Sequence, residues 1–418
     1  MTTAEFDQAT NFSFRAEDID RAHALVGVYR SSATREHLTT VTHDAMRNFA
    51  AGYGDDNPLF ASETYGKQTR WGGQIAPPMI PIALNRPLCG DRSDSDLKRP
   101  SFRGIHVFVS GSTWRWYQPL REGDQLFSFG GIESVEEKES KFAERSILIT
   151  YLSVRINQRA EVVATSQTLA IHTERKTARD KGKYAAIEPA TYSDADIERL
   201  DAIYAEEAPR AAAQRFWEDV EVGEAIRPMA KGPLTTTDII VFHAGGYGFT
   251  PYTPCANRLA ASNRHRIAPF YVKNAFGVPD VAQRVHWDSE WAQAIGNPMA
   301  YDYGVMRDCH LSHFLTDWMG DDGWLVEQHS EIRKFNYIGD SHVITGEVVG
   351  KRDDGERLVV DIEMRGTNQR GEVTCPGSAV VALPSRERGA VVLPAPPDDL
   401  SGQARDLMAR HSELAATG

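Results

Sequence analysis

Two stretches of this 418-residue chain carry side chains suited to moving protons. One is Tyr53 to Phe60, YGDDNPLF, where Asp55, Asn57 and Pro58 set an acid, an amide and a proline in a fixed order. The other is VHWDSEWAQAIGNP from Val285, followed by AYDYGVM from Ala300. It holds the imidazole of His286, with Asp280 six residues before it, and Gly304 opens a helical pattern. A carboxylate and an imidazole facing one cavity are the parts of general acid/base catalysis. A free N–H at a helix start is the part that stabilises a developing oxyanion.

The elements around these stretches occur twice. Setting Asp44 against Asp238 superposes GYG at Gly52 to Gly54 on GYG at Gly246 to Gly248 and makes Phe49 equivalent to His243. REGDQL from Arg121 then faces YIGDSH from Tyr337, and NQRAEVVATSQTLAIH from Asn157 faces NQRGEVTCPGSAVVAL from Asn368. Three matches in one order point to an internal duplication. In each copy an irregular or helical part precedes alternating strands such as SILITYLSVRI and HVITGEVVG, separated by Gly-Asp and Asn-Gln-Arg turns. The helix pattern after Gly304, VMRDCHLSHFLTDWMG, suits a helix laid across an antiparallel sheet. Between the copies, SDADIERLDAIYAEEA predicts a solvent-facing linker helix capped by Ser193.

Composition narrows the function. Hydrophobic residues at 41% and charged ones at 25% describe a globular chain with a sizeable core. The balance of 46 basic and 58 acidic side chains, net -12, and the lack of a basic run argue against nucleic acid. Cys89, Cys255, Cys309 and Cys375 form no C-x-x-C pair, so neither zinc nor a disulfide framework is expected and a reducing cytoplasm fits. No stretch reaches the roughly 18 apolar residues of a membrane helix, and MTTAEFDQAT has no signal-peptide pattern.

The order acid-x-Asn-Pro, a small-residue turn, a glycine-started helix and strands with a Gly-Asp turn resembles the MaoC-like (R)-specific enoyl-CoA hydratases and dehydratases. The resemblance implies an α+β double hot dog, two antiparallel sheets each wrapped around a central helix. It divides the chain into an N-terminal unit at 1–175 similar to a degenerate dehydratase domain, a charged helical linker at 176–215, a C-terminal MaoC-like unit at 216–385 and a tail at 386–418. It also implies a hydro-lyase acting on a 2-enoyl-CoA or 3-hydroxyacyl-CoA thioester, with acyl-CoA as its partner, no metal, no cofactor beyond the coenzyme A of the substrate, and room for pairing of two chains.

In that family an Asp and a His share one loop, and a backbone N–H at the central helix completes the site. The first copy keeps Asp55 and Asn57 but has Phe60 at the histidine position and Pro78 at the glycine position, so it is expected to be a degenerate site. The second copy has His286 and Gly304, while Phe249 and Val281 stand where its acid is sought, leaving Asp280 as the expected carboxylate. Asp288 reads as a helix cap. Tyr247 and Tyr303 are expected at the substrate, with Tyr301 and Asp302 close by. Residues 250–280 are an insertion whose Arg258, Arg264 and Arg266 suit the phosphates of coenzyme A or belong to a lid. The alternatives are a catalytically silent acyl-CoA-binding or assembly subunit and a hot dog thioesterase.

Overall fold

The computed structural model describes residues 13–32, 38–89, 98–102, 105–140, 144–174, 187–248, 258–266 and 268–417. Its frame is one ten-stranded antiparallel sheet in the order β1-β3-β4-β5-β2-β9-β12-β11-β10-β6. The first copy supplies β1 (Arg30–Ser31), β2 (His106–Trp116), β3 (Leu126–Ser140), β4 (Glu144–Asn157) and β5 (Val162–Thr173). The second supplies β6 (Ala225–Lys231), β9 (Trp324–Glu331), β10 (His342–Asp353), β11 (Leu358–Asn368) and β12 (Val373–Ala382). Read outward from the central β2·β9 pair, both copies have the same strand order. Across that seam Gly111 lies opposite Glu331, and Arg115 pairs with Glu327 at 2.7 Å. A separate hairpin, β7 (Tyr271–Lys273) and β8 (Pro279–Val281), sits in the insertion.

The repeated turns owe their likeness to shared chemistry. Asn157 accepts hydrogen bonds from the Arg159 and Glu161 N–H groups, and Asn368 does the same for Arg370 and Glu372. Arg159 then reaches Asp124 of the first Gly-Asp turn at 3.0 Å, and Arg370 reaches Asp340 of the second at 2.7 Å. Each aspartate also holds the entry of its own turn, at Arg121 N–H and Tyr337 N–H. An Asx turn tied to a buried carboxylate fixes the hairpin register, so the same residues recur wherever that register is needed.

Helices α1 (Ala16–Ala24), α2 (His43–Gly52), α3 (Pro58–Ala61) and α4 (Glu63–Gly66) belong to the first copy. The linker helix α5 (Asp194–Glu206) begins in the expected capping box of Ser193 and Asp196. Thr235 and Asp238 make a second box at α6 (Thr236–Phe242), which runs into a π-helical turn at His243–Tyr247. The GYG repeats cross here: a Cβ on Gly245 would meet the Gly52 Cα at 2.7 Å, so this approach of two backbones requires glycine. The insertion and its sequel carry α7 (Arg258–Arg266) and α8 (Ser289–Ala294), the latter capped by Asp288 as expected.

The copies differ on the concave face. In the second, α9 (Gly304–Met319) lies against the sheet, and a Cβ on Gly346 of β10 would meet the Phe314 ring at 2.9 Å. The expected central helix of the first copy is replaced by a 3₁₀ turn at Ile80–Ile82. The reason is in APPMIPIALNRP: Pro77, Pro78 and Pro81 withhold N–H groups and disfavour the α conformation in the residues before them. The tail is not free. Its helix α10 (Asp398–Thr417) packs Leu400, Ala404, Leu407 and Met408 against Val154 and Ile156 on the outer face of the first copy. Among the described residues no helix is long and apolar enough to cross a membrane.

Candidate active site

The start of α9 gathers two histidines of the second copy, His286 and His243. Tyr303 precedes the helix in an extended conformation and gives it no side-chain cap; its carbonyl accepts the Met306 N–H at 3.0 Å, which leaves the Gly304 N–H at the very start of the helix to another acceptor. His286 ends a 3₁₀ turn at Ala282–His286, the segment that corresponds to α3 in the first copy. Its Nδ1 lies 2.8 Å from the Tyr301 carbonyl oxygen, and its ring rests on the Tyr303 ring with centroids 3.7 Å apart. A carbonyl can only accept, so Nδ1 carries the proton and Nε2 keeps a lone pair. Burial pushes the pKa of His286 down to about 4, which keeps the ring neutral. The side chain remains half-buried, not sealed in the core.

His243, which no motif singled out as chemical, is the second member. Its Nδ1 is 2.6 Å from the Gly248 carbonyl oxygen, so that nitrogen is the donor and Nε2 accepts the Tyr303 hydroxyl at 2.9 Å. The Gln283 amide donates to the same hydroxyl at 3.1 Å. Tyr247 packs beside this group, 5.1 Å from the Tyr303 ring, and burial raises its hydroxyl to about 12. The π-helical turn aims His243 inward, and such turns are frequent at functional sites.

Several expected members are elsewhere. The Asp280 carboxylate accepts from the Asn274 amide at 3.3 Å and from the Val281 N–H at 2.7 Å. It belongs to the β7–β8 hairpin, whose closing residues need that acceptor. Asp302 makes a bidentate pair with Arg307, both contacts at 2.7 Å, and both residues are buried. Arg258 and Arg266 are exposed on α7, where Arg266 bonds Asn263, and Arg264 is half-buried. Phe249 and Cys255 lie outside the described residues.

Asp55 has an environment that the sequence did not reveal. Its carboxylate accepts from the Tyr53 hydroxyl and the Asn57 N–H, both at 3.0 Å, while Asn57 caps α3 through the Leu59 N–H. From α9 of the other copy, His313 brings Nε2 to 3.6 Å from Asp55 and 3.4 Å from Asp317, and Lys231 sits 2.8 Å from its Nδ1. Burial lowers His313 to about 4 and raises Asp317 to about 7. Asp55, His313 and Asp317 bring one ligand atom each within 4.8 Å of the others and are the described set able to hold a cation. The Lys231 amine already occupies part of that space, its pKa lowered by burial. A histidine does therefore stand near Asp55 despite Phe60, but it comes from 258 positions away (313 against 55) and lies in the core.

Residues 29–166 match the family model described as FAS1-like, dehydratase domain region. A UPF0336 protein of Thermobifida fusca (strain YX) is 32% identical over 85 residues, which are 20% of this chain and 54% of that protein, so the match spans about half the length of that relative. A solved structure named as a MaoC-like dehydratase covers 87% of this chain and 99% of its own, with a TM-score of 0.57 at 15% identity, a likeness of fold. A Mycobacterium tuberculosis protein described as having a double hotdogfold covers 84% of this chain and 96% of its own, with a TM-score of 0.48 at 12% identity.

Proposed function

From a chain that shares the double hot dog fold of a MaoC-like dehydratase and whose first half matches a FAS1-like dehydratase domain, we propose a hydro-lyase that adds water to a 2-enoyl thioester or removes it from the 3-hydroxyacyl form. The observation that carries this reading is the half-buried His286, whose proton is committed to the Tyr301 carbonyl while its Nε2 lone pair stays available beside the uncapped start of α9. In the hydration direction Nε2 takes a proton from water as the water oxygen bonds to the β carbon. The π electrons move through the α carbon to the thioester oxygen, whose charge meets the Gly304 N–H and the positive end of a 16-residue helix. The imidazolium then returns the proton to the α carbon, so the ring ends neutral and no redox or metal cofactor is needed. Tyr303 holds the ring plane, and its own hydroxyl is fixed by His243 and Gln283.

Coenzyme A is the proposed carrier, supported by the exposed arginines Arg258 and Arg266 on the inserted helix, whose guanidinium groups suit phosphate. Time courses with a trans-2-enoyl-CoA test the proposal. Loss of the conjugated-thioester absorbance without free thiol is the expected result. Thiol release would make the chain a thioesterase, and saturable binding without either change would make it a silent binding subunit.

A further inference from the structure

The concave face of the first copy, where α9 has no counterpart, holds a cavity of about 590 Å³. Strand pairing tells which side chains look into it. Arg155 lies directly opposite Ser128 on β3 and Ala164 on β5, and Ala164 lies opposite Trp116, whose side chain is in the central core. Cross-strand partners share a face, so Arg155, Ser153 and Arg30 are on the inner side and the alternate residues Val154 and Ile156 are on the side covered by α10. Ile82, Leu84 and Phe102 form apolar wall opposite these polar groups.

Arg155 is chemically unfinished. Its Nη1 donates to the Ser153 hydroxyl, its Nε is sealed from solvent without any hydrogen-bond partner, and among the described residues no carboxylate pairs with it. The side chain is half-buried, and a guanidinium partly withdrawn from water without a counter-charge is costly. Most other arginines turned inward in this fold have an answer, as Arg307 has in Asp302 and Arg215 in Glu224. Burial pushes the pKa of Arg155 down to about 10, which still leaves it cationic at neutral pH.

We propose that this cavity is a binding site for a small amphiphilic carboxylate, its carboxyl group held by Arg155 and its aliphatic part against Ile82, Leu84 and Phe102. The two Nη groups at the end of a guanidinium match the two oxygens of a carboxylate, and the mixed wall suits an apolar chain better than a bare inorganic anion. The site is separate from His286 and does not depend on the hydro-lyase reading.

Calorimetric titration of the full chain with octanoate, with octan-1-ol and with inorganic phosphate tests it. Saturable one-to-one binding of octanoate is expected, with octanol and phosphate at least about tenfold weaker and Arg155→Gln weakening octanoate by about ten- to a hundredfold, the range for losing a buried charged hydrogen-bonded partner. Equal binding of octanol, tighter binding of phosphate, or unchanged binding by the variant would each overturn the proposal. Arg155→Met guards against a folding artefact, since removing a half-buried charge that no described carboxylate balances should raise the melting temperature of the ligand-free protein. A lower melting temperature would mean that Arg155 is already satisfied within the chain, and the proposal would fall.

Discussion

The two copies share a strand order and a turn chemistry, yet only one lays a long helix across its concave face. The second copy fills that face with α9, and the first covers part of it with the short helix α1, whose Ile19 and Ala22 pack on Ile147 and Ile149 of β4, and with a proline-rich 3₁₀ turn, leaving a cavity. The half-sheets agree in form where β2 and β9 join in one seam, each with its own strands in register behind it. The first copy can do without a long helix because α9 serves both copies. Its Asp308 accepts from Ser112 of β2 at 2.8 Å, its His313 faces Asp55, and Asp321 just beyond it accepts from Tyr65 and Trp71. A duplicated fold can in this way divide its parts, with one copy keeping the helix N-terminus and the other gaining room.

The strongest way to break that comparison is at His286. His286→Ala should lower turnover by roughly 10² to 10⁴ without changing the melting temperature much, the span for a general acid/base group. Restoring a histidine in the first copy by Phe60→His should not rescue it, because Pro78 and the 3₁₀ turn offer no helix N-terminus there. The same assignment fixes a pH profile. Burial holds the His286 pKa at about 4, and the basic form is the reactive one, so kcat/KM should be flat at neutral pH and fall only as the pH drops through about 4. An acid limb near 6.5 would mean that a different histidine carries the reaction.

Much of this was legible in the residues and some was hidden for physical reasons. The Asn-Gln-Arg and Gly-Asp turns, the capping boxes at Ser193 and Thr235 and the start of α9 are local, so their chemistry is written in adjacent residues. The missing helix of the first copy was also written, in Pro77, Pro78 and Pro81, but the repeat suggested symmetry more strongly than the prolines suggested its loss. The partnership of His313 with Asp55, the Tyr303–His243 bond and the solitary Arg155 are set by tertiary packing, which no spacing encodes. Asp280 illustrates the opposite case: its place six residues before His286 is local, but the hairpin that directs its carboxylate to the Asn274 amide is set by folding.

Breaking the shared helix should cost nearly as much as the active-site change, in stability instead of rate. Arg307→Met leaves the Asp302 carboxylate buried without its bidentate partner, which should cost about 3 to 5 kcal/mol in urea unfolding. Because α9 braces both copies, the loss should appear as one cooperative transition moved to lower urea. Two separate transitions would show that the copies are stabilised independently.

The contact between the copies at Asp55 gives a smaller, pH-dependent effect. Burial raises the Asp317 carboxyl to about 7, above its ordinary value of 3.8, so between those values the native state keeps a proton that the unfolded chain has released. The stability it contributes is therefore present at low pH and is lost as pH rises to about 7. Asp317→Asn removes that loss, and the variant should gain on the wild type in chemical denaturation between pH 5 and pH 8. A gain in the opposite direction would place the proton elsewhere in the cluster with His313 and Lys231.

The smallest effect is expected where the chain order suggested one of the largest. The Asp280 carboxylate holds the Val281 N–H and the Asn274 amide, and Asn274 in turn accepts from the Phe276 and Val278 N–H groups at the tip of the β7–β8 hairpin. Asparagine at 280 keeps one carbonyl acceptor for this arrangement, so Asp280→Asn should leave kcat within about twofold of the wild type, since it removes no interaction made in the transition state. A small rise in protease sensitivity of the hairpin is the structural trace to look for. If kcat instead falls as far as it does in His286→Ala, and the double variant is no worse than either single one, the two residues act as a unit and the hairpin must fold over His286 when substrate binds.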